Sequence, residues 1–110
     1  MISGTFTGEG QYSQPIYCPR GQNILYQIAE SSATWAAHVT EQWILDDSDP
    51  SVPGDSDPRW TTMDDGGYDM IGATPVTKTS GTGGFWFRLA ILTGDYISGE
   101  AEYKIKTVGW

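Results

Sequence analysis

Apolar and polar residues alternate most regularly in the last third of the chain. Between Glu100 and Thr107, the apolar residues Ala101, Tyr103 and Ile105 alternate with charged residues, which is typical of a strand with one buried and one solvated face. The run from Phe85 to Leu92 is apolar on both faces except for one arginine, which predicts a central strand covered on both sides. We predict that these two runs are strands of one antiparallel sheet.

The first half of the chain predicts further strands separated by turn residues. The glycine-punctuated stretch from Gly4 to Gln11 is typical of an edge strand, and a short extended piece follows from Tyr12 to Tyr17. Asn23 to Ala29 predicts a core strand, because Ile24, Tyr26 and Ile28 share one face. The polar residues Glu30-Ser31-Ser32 are expected to end it.

Two secondary structures, a strand and a helix, are compatible with the run from Ala33 to Leu45. Its odd positions form an apolar file interrupted by Glu41, which predicts a long strand with a bulge or bend near that residue. The alternative is a helix, since several of its alanines would tolerate one. The strand is favoured because Trp35, Val39 and Trp43 are β-formers and no helix caps flank the run.

These strands predict an all-β fold. Fourteen Gly and six Pro among 110 residues favour short strands and many turns. We predict one domain over residues 1–110, an antiparallel β-sandwich, immunoglobulin-like or jelly-roll-like, of seven or eight short strands. Its predicted core contains Phe6, Ile24, Tyr26, Ile28, Val39, Phe87, Leu89, Tyr103 and Ile105.

The segment from Asp46 to Pro58 differs sharply in composition from the rest of the chain. It holds five Asp and three Pro, a composition that buries little apolar surface and suits a solvated, polyproline-like loop. Asp47-Ser48-Asp49 and Asp55-Ser56-Asp57 place oxygen ligands at alternate positions, as a Ca²⁺ site would. The glycine and glutamate of an EF-hand loop are missing from their places, so we expect a solvated loop and no metal.

Charge and composition exclude several classes of partner. The formal net charge is -8, and the six basic residues are scattered along the sequence, which disfavours binding to nucleic acid. No apolar run approaches the roughly 20 residues that span a bilayer. The single cysteine cannot form an internal disulfide, and the chain opens without a signal-peptide pattern. We therefore expect a protein made in a cytoplasm, with no membrane partner.

No arrangement of residues predicts an enzyme. The lone histidine, His38, has no nucleophile motif beside it. Cys18 has only Arg20 nearby as a basic neighbour. The loop carboxylates lack the apolar pocket that would raise the pKa of a general acid. We predict no catalytic residue, no metal site and no cofactor.

Aromatic residues outnumber what a core of this size requires, since the chain has five Trp and six Tyr. A surplus of this kind can anchor a protein interface or stack on sugars. The candidate interface residues are Phe6, the one large anchor of the first strand, Trp86, on the less apolar face of its strand, and Trp110, at the chain end.

Three motifs resemble a family of small β-rich proteins of tailed bacteriophages. They are Gly4-Thr5-Phe6-Thr7-Gly8 with Gly10-Gln11, then Phe87-Arg88-Leu89, and finally Ser98-Gly99 followed by Tyr103 and Ile105. Members open with G-T-F-T-G-x-G-Q and close with Y-R-L and S-G-x-x-x-Y-x-I. The middle of the family pattern reads V-x-L-E-R-S-x-D-G-G-x-T-W. Here Val39 to Asp46 keeps the Val-to-Asp spacing, Glu41-Gln42 departs from Leu-Glu, and the acidic loop before Trp60 resembles an insertion.

The resemblance implies a virion structural protein, made in the host cytoplasm and located on the capsid surface. It would be a head decoration (cement) protein that binds the major capsid protein on the outside of the shell. A homo-oligomer, with a trimer favoured, would fit a symmetric lattice. The alternative is a carbohydrate-binding β-sandwich on a tail or head fibre that serves host adsorption.

Replacing Asp46 to Pro58 with a short Gly/Ser turn should leave the melting temperature within a few degrees of the wild type, because loop-closure entropy changes slowly with length. Thermal unfolding followed by circular dichroism measures this. Loss of folding would mean that the loop packs on the domain. A rise in melting temperature with millimolar Ca²⁺, in the wild type only, would contradict the expectation of a metal-free loop.

Overall fold

A computed structural model describes residues 1–45, 59–62, 68–71, 76–80 and 83–109, and of residues 32–33, 68–71 and 76–80 it describes only the backbone. Within these residues the fold is all-β and has no helix. The strands are β1 (Ile2–Phe6), β2 (Gln11–Tyr12), β3 (Ile16–Cys18), β4 (Gln22–Ile44), β5 (Thr61–Thr62), β6 (Tyr68–Ile71), β7 (Val76–Ser80), β8 (Phe85–Ile91) and β9 (Tyr96–Gly109). The acidic loop and Trp110 lie outside the described residues.

Strand β4 is the centre of the sheet. Its first part pairs with β9, from Gln22 opposite Gly109 to Ala37 opposite Tyr96, and its last part pairs with β8, from Thr40 to Ile44. Strands β7, β6 and β5 pair with successive parts of β4. β1 adds to β9, and β2 and β3 add to β8. All these pairings are antiparallel, as predicted.

The long sheet is folded over at the middle of β4. Pairing with β9 shifts register between Glu30 and Ser32, between Ser32 and Ala36, and between Ala36 and Ala37. Bulges of this kind bend a strand and let it pass from one layer to the other. We call layer I the sheet formed by β1, β9, β6, β7 and the first part of β4, and layer II the sheet formed by β2, β3, β8, β5 and the last part of β4.

The middle of β4 corrects one prediction and confirms another. Glu30-Ser31-Ser32 does not end a strand, and β4 continues through it as a single strand of 23 residues. The Glu30 carboxylate accepts a hydrogen bond from the Trp35 backbone N–H at 2.7 Å, so a side chain satisfies a donor where the ladder is irregular. The bend lies here and not near Glu41, whose ladder with β8 is regular. The strand predicted from Ala33 to Leu45, in preference to a helix, is confirmed.

The hydrophobic core lies between the two layers. Tyr26 of layer I packs on Phe87 of layer II with ring centroids 5.9 Å apart, and the Tyr26 hydroxyl donates to the buried carboxylate of Glu41 at 2.7 Å. The buried side of β9 is formed by Ala101, Tyr103 and Ile105, as predicted. All nine residues of the predicted core are buried. The fold is a β-sandwich in which the layers share a strand.

The glycine-rich motifs at the two ends of the sequence meet in layer I. Gly4 lies opposite Tyr103 in the β1–β9 ladder, and a Cβ atom on Gly4 would collide with the Tyr103 ring. The Tyr103 ring also packs on Phe6, with centroids 4.9 Å apart. The Gln11 amide closes the turn after β1, accepting from the Thr7 N–H at 2.7 Å and donating to the Thr7 hydroxyl at 2.8 Å. Gly4, Phe6 and Tyr103 therefore join β1 to β9.

Gly4→Ala should destabilise the domain by about 1–3 kcal/mol, because the added methyl group must displace the Tyr103 ring from a packed position. Gly8→Ala is the matched control, since the nearest atom to a Cβ on Gly8, outside its chain neighbours, is the Gln11 amide nitrogen at 3.9 Å. That change should stay within about 0.5 kcal/mol. Urea unfolding of both variants measures the difference, and equal losses would contradict the tight Gly4–Tyr103 contact.

Candidate functional site

Four aromatic side chains and one arginine lie on the outer face of layer II. Residues directly opposite each other in an antiparallel ladder point to the same face, and Tyr12 lies opposite Ala90 while Tyr17 lies opposite Trp86. Trp60, just before β5, joins them through its contact with Arg88. Tyr12, Tyr17, Trp60 and Trp86 are each half-buried. We call these four residues and Arg88 the aromatic face.

Arg88 joins two rings of the aromatic face. Its guanidinium carbon lies 4.0 Å from the centroid of the Tyr12 ring and 4.4 Å from that of the Trp60 ring, and its Nε donates to Gln42 Oε1 at 2.8 Å. Arg88 is 2% exposed, so these contacts replace water around a buried charge. Through this one side chain, β2, β4, β8 and the residue preceding β5 are tied together.

Tyr17 and Trp86 form the second part of the aromatic face. Their ring centroids are 5.4 Å apart, with the planes tilted by 58°. On the other side of Trp86, β4 places Ile44 directly opposite it in the ladder, and Ile44 is 1% exposed. The Trp86 ring therefore has packed neighbours on both sides and still keeps part of its surface in solvent. Such a ring loses little conformational freedom when a partner covers it.

The local sequence explains why these side chains point outward. In β8, Phe85, Phe87 and Leu89 enter the core, and the strand's period of two then places Trp86 and Arg88 on the opposite face. The sequence predicted a central strand apolar on both sides, and its burial confirms this, with Trp86 the one half-buried residue of β8.

The structure does not bring the predicted interface residues together. Phe6 is 0% exposed and packs inside layer I, so its prediction as a surface anchor is corrected: its side of β1 faces the core. Trp86 lies on the outer face of layer II and is half-buried. Trp110 lies outside the described residues, and its role stays a prediction. A partner can therefore reach Trp86 and not Phe6.

Sequence reasoning missed Tyr12, Trp60 and Gln42 as partners of Arg88. The available signal was Arg88 itself, the one charge in an otherwise apolar strand, because a buried charge requires compensating neighbours. Which residues supply them depends on strand register and on the return of the chain after the acidic loop. Neither can be read from local periodicity.

Two features of the described residues bear on metal binding and on the reactivity of the thiol. No three His, Cys, Asp or Glu side chains among them are close enough to hold a metal ion. Burial raises the pKa of the Cys18 thiol, whose sulfur donates to the Gln22 carbonyl at 3.3 Å, so the thiol is a weak nucleophile at neutral pH. Across all the residues that the structure describes, there is no helix long and apolar enough to cross a membrane.

Arg88→Lys should destabilise the domain by about 1–2 kcal/mol, because an ammonium group cannot stack between two rings and keep the bond to Gln42. Arg20→Lys, an exposed arginine in the turn before β4, is the control and should stay within about 0.5 kcal/mol. Chemical denaturation of both variants measures this. An unchanged free energy of unfolding in Arg88→Lys would show that the stacked geometry contributes nothing to stability.

In comparisons with known proteins, no family model, no curated protein and no solved structure matches the chain. The aromatic face must therefore be interpreted from its own chemistry.

Proposed function

We propose that this chain is a non-enzymatic structural protein of a tailed-bacteriophage particle. It would bind the major capsid protein on the outer surface of the assembled head and stabilise the shell. The observation that carries the proposal is the aromatic face, in which four half-buried aromatic rings lie beside a buried arginine. The sequence resemblance to small virion proteins supplies the class of partner.

The composition of the aromatic face supports a protein partner. Trp, Tyr and Arg are the residues enriched at the centres of protein interfaces, where a few fixed side chains dominate the binding energy. The rings of Tyr12 and Trp60 are positioned by Arg88, and that of Trp86 by Tyr17. A preorganised face of this kind avoids part of the entropy cost of binding.

The attachment of such a protein to the shell would depend on the lattice of binding sites as well as on the contact made by each copy. Binding to the assembled shell, and not to free subunits, shifts assembly by mass action. If several copies associate with one another, their simultaneous attachment adds avidity without any new contact to the shell. A moderate affinity per aromatic face would then be sufficient.

The second candidate function is carbohydrate binding during host adsorption. Half-buried Trp86 and Tyr17 on one sheet face favour it, since sugars stack on exposed rings. Their planes are tilted by 58°, however, so the two rings do not form one flat platform for consecutive sugars. The protein-binding function therefore fits this pair better.

Purified protein should co-sediment with expanded capsids that lack it, and Trp86→Ala should weaken binding by roughly tenfold or more, as expected for a central aromatic anchor. Molar salt should have little effect on the contact of a single copy with the shell, because that contact relies on aromatic rings and not on exposed ion pairs. Capsid sedimentation at increasing protein concentrations measures both effects.

Ile97→Ala is the matched control, because Ile97 is 71% exposed and belongs to β9 of layer I, away from the aromatic face. It should bind like the wild type. A Trp110→Ala variant, checked like the others for folding by circular dichroism, tests the predicted terminal anchor separately. Binding to isolated tails or to an array of host glycans, with no binding to heads, would replace the decoration function by adsorption.

A further inference from the structure

The outer face of layer I carries an open groove that the aromatic face does not use. Its volume is about 240 Å³, and it is lined by Met1, Leu25, Tyr26, Gln27, Lys104 and Lys106. A smaller depression of about 60 Å³ shares Gln27 and Lys104 with it and continues to Ala29 and Glu102. Together they follow the β4–β9 strand pair. We call the surface formed by Leu25, Gln27, Lys104 and Lys106 the basic groove.

Two exposed lysines define the chemistry of this groove. Lys104 lies opposite Gln27 and Lys106 lies opposite Leu25, so both ammonium groups stand on one face of β9 at a spacing of about 7 Å along the strand. Ser3 of β1 is opposite Lys104 on its other side. A hydroxyl, an ammonium and an amide therefore line up across three strands, beside an apolar position at Leu25.

The existing ion pair at the groove is weak enough to exchange. Lys104 Nζ lies 3.6 Å from Glu102 Oε1, and the two side chains are 50% and 54% exposed. An exposed pair of this geometry contributes little to stability because water screens it. Lys104 can therefore turn toward an incoming carboxylate at little cost.

The spacing of the lysines specifies an acidic, extended ligand. In an extended peptide, side chains two residues apart point the same way and lie about 7 Å apart, which matches Lys104 and Lys106. This chain carries that pattern twice, as Asp47-Ser48-Asp49 and Asp55-Ser56-Asp57. We propose that the basic groove binds the acidic segment Asp46 to Pro58 of a second copy of this chain.

Charge explains why a second copy can associate in this way. With fourteen acidic and six basic side chains, two copies repel each other unless their contact joins opposite charges. The residues flanking the acidic segment, Leu45 and Arg59, continue from β4 and lead into β5 of layer II, whereas the groove is on the outer face of layer I. Each copy therefore offers both the acidic segment and the basic groove, at different places on the chain. Head-to-tail contacts of this kind close into rings when the rotation between neighbouring copies allows it.

Sedimentation velocity at low and at molar salt tests this association. The wild type should form a reversible oligomer at low salt that dissociates at high salt. Lys104→Gln and Lys106→Gln should each weaken association by about two- to fivefold, the effect of one exposed ion pair, and Lys104→Arg should preserve it. Arg20→Gln, which removes an exposed cation outside the groove, should leave it unchanged.

A peptide of the sequence from Leu45 to Arg59 identifies the occupant. The fluorescently labelled peptide should dissociate the wild-type oligomer. It should bind a variant whose acidic segment is replaced by Gly/Ser, and binding should fall when both lysines are changed to Gln. A control peptide of the same composition, with its aspartates placed side by side, should bind less tightly.

Three results would overturn the proposal. The first is a wild type that stays monomeric while the loop-replaced variant binds the peptide, since the segment would then occupy the groove of its own chain. The second is an oligomer that is insensitive to both lysine changes, since association would then use another surface. The third is absence of peptide binding to the loop-replaced variant.

Discussion

The structure depends on one continuous strand that belongs to both layers of the sandwich. β4 pairs with β9 and β7 in its first part and with β8 and β5 in its last part, so both layers depend on the same strand for their pairing. The bulges between Glu30 and Ala37 turn this strand from one layer into the other. Tyr26, Glu41 and Phe87 then close the space between the layers. Loss of β4 pairing in one layer therefore removes support from the other, which favours cooperative unfolding.

The sequence predicts the core better than the connectivity. Alternation in β9 and the apolar file of β8 identify Phe87, Leu89, Tyr103 and Ile105 as buried, because a period of two fixes which face each residue takes. The same reasoning gives a wrong strand end at Glu30-Ser31-Ser32. A polar run normally ends a strand, and here a side chain of that run bonds to the backbone of Trp35, a contact that local pattern cannot reveal.

The candidate site was predictable only in part. Trp86 could be assigned to an outer face from its strand, whereas Phe6 belongs to the core because Gly4 lets the Tyr103 ring lie across β1 and against the Phe6 ring. The stack of Tyr12, Arg88 and Trp60 brings together residues from three distant parts of the sequence. Within the resemblance motifs, Gly4, Phe6 and Tyr103 pack against one another, so these positions contribute to how the fold is built.

The pairing order also limits when the chain can fold during its synthesis. β1 pairs with β9, and β2 and β3 pair with β8, so these first strands must wait for the last quarter of the chain. Until then, the described strands that can pair with β4 are β5, β6 and β7. Such non-local pairing is slow to form. The unpaired strands are therefore exposed to aggregation until β8 and β9 have been synthesised.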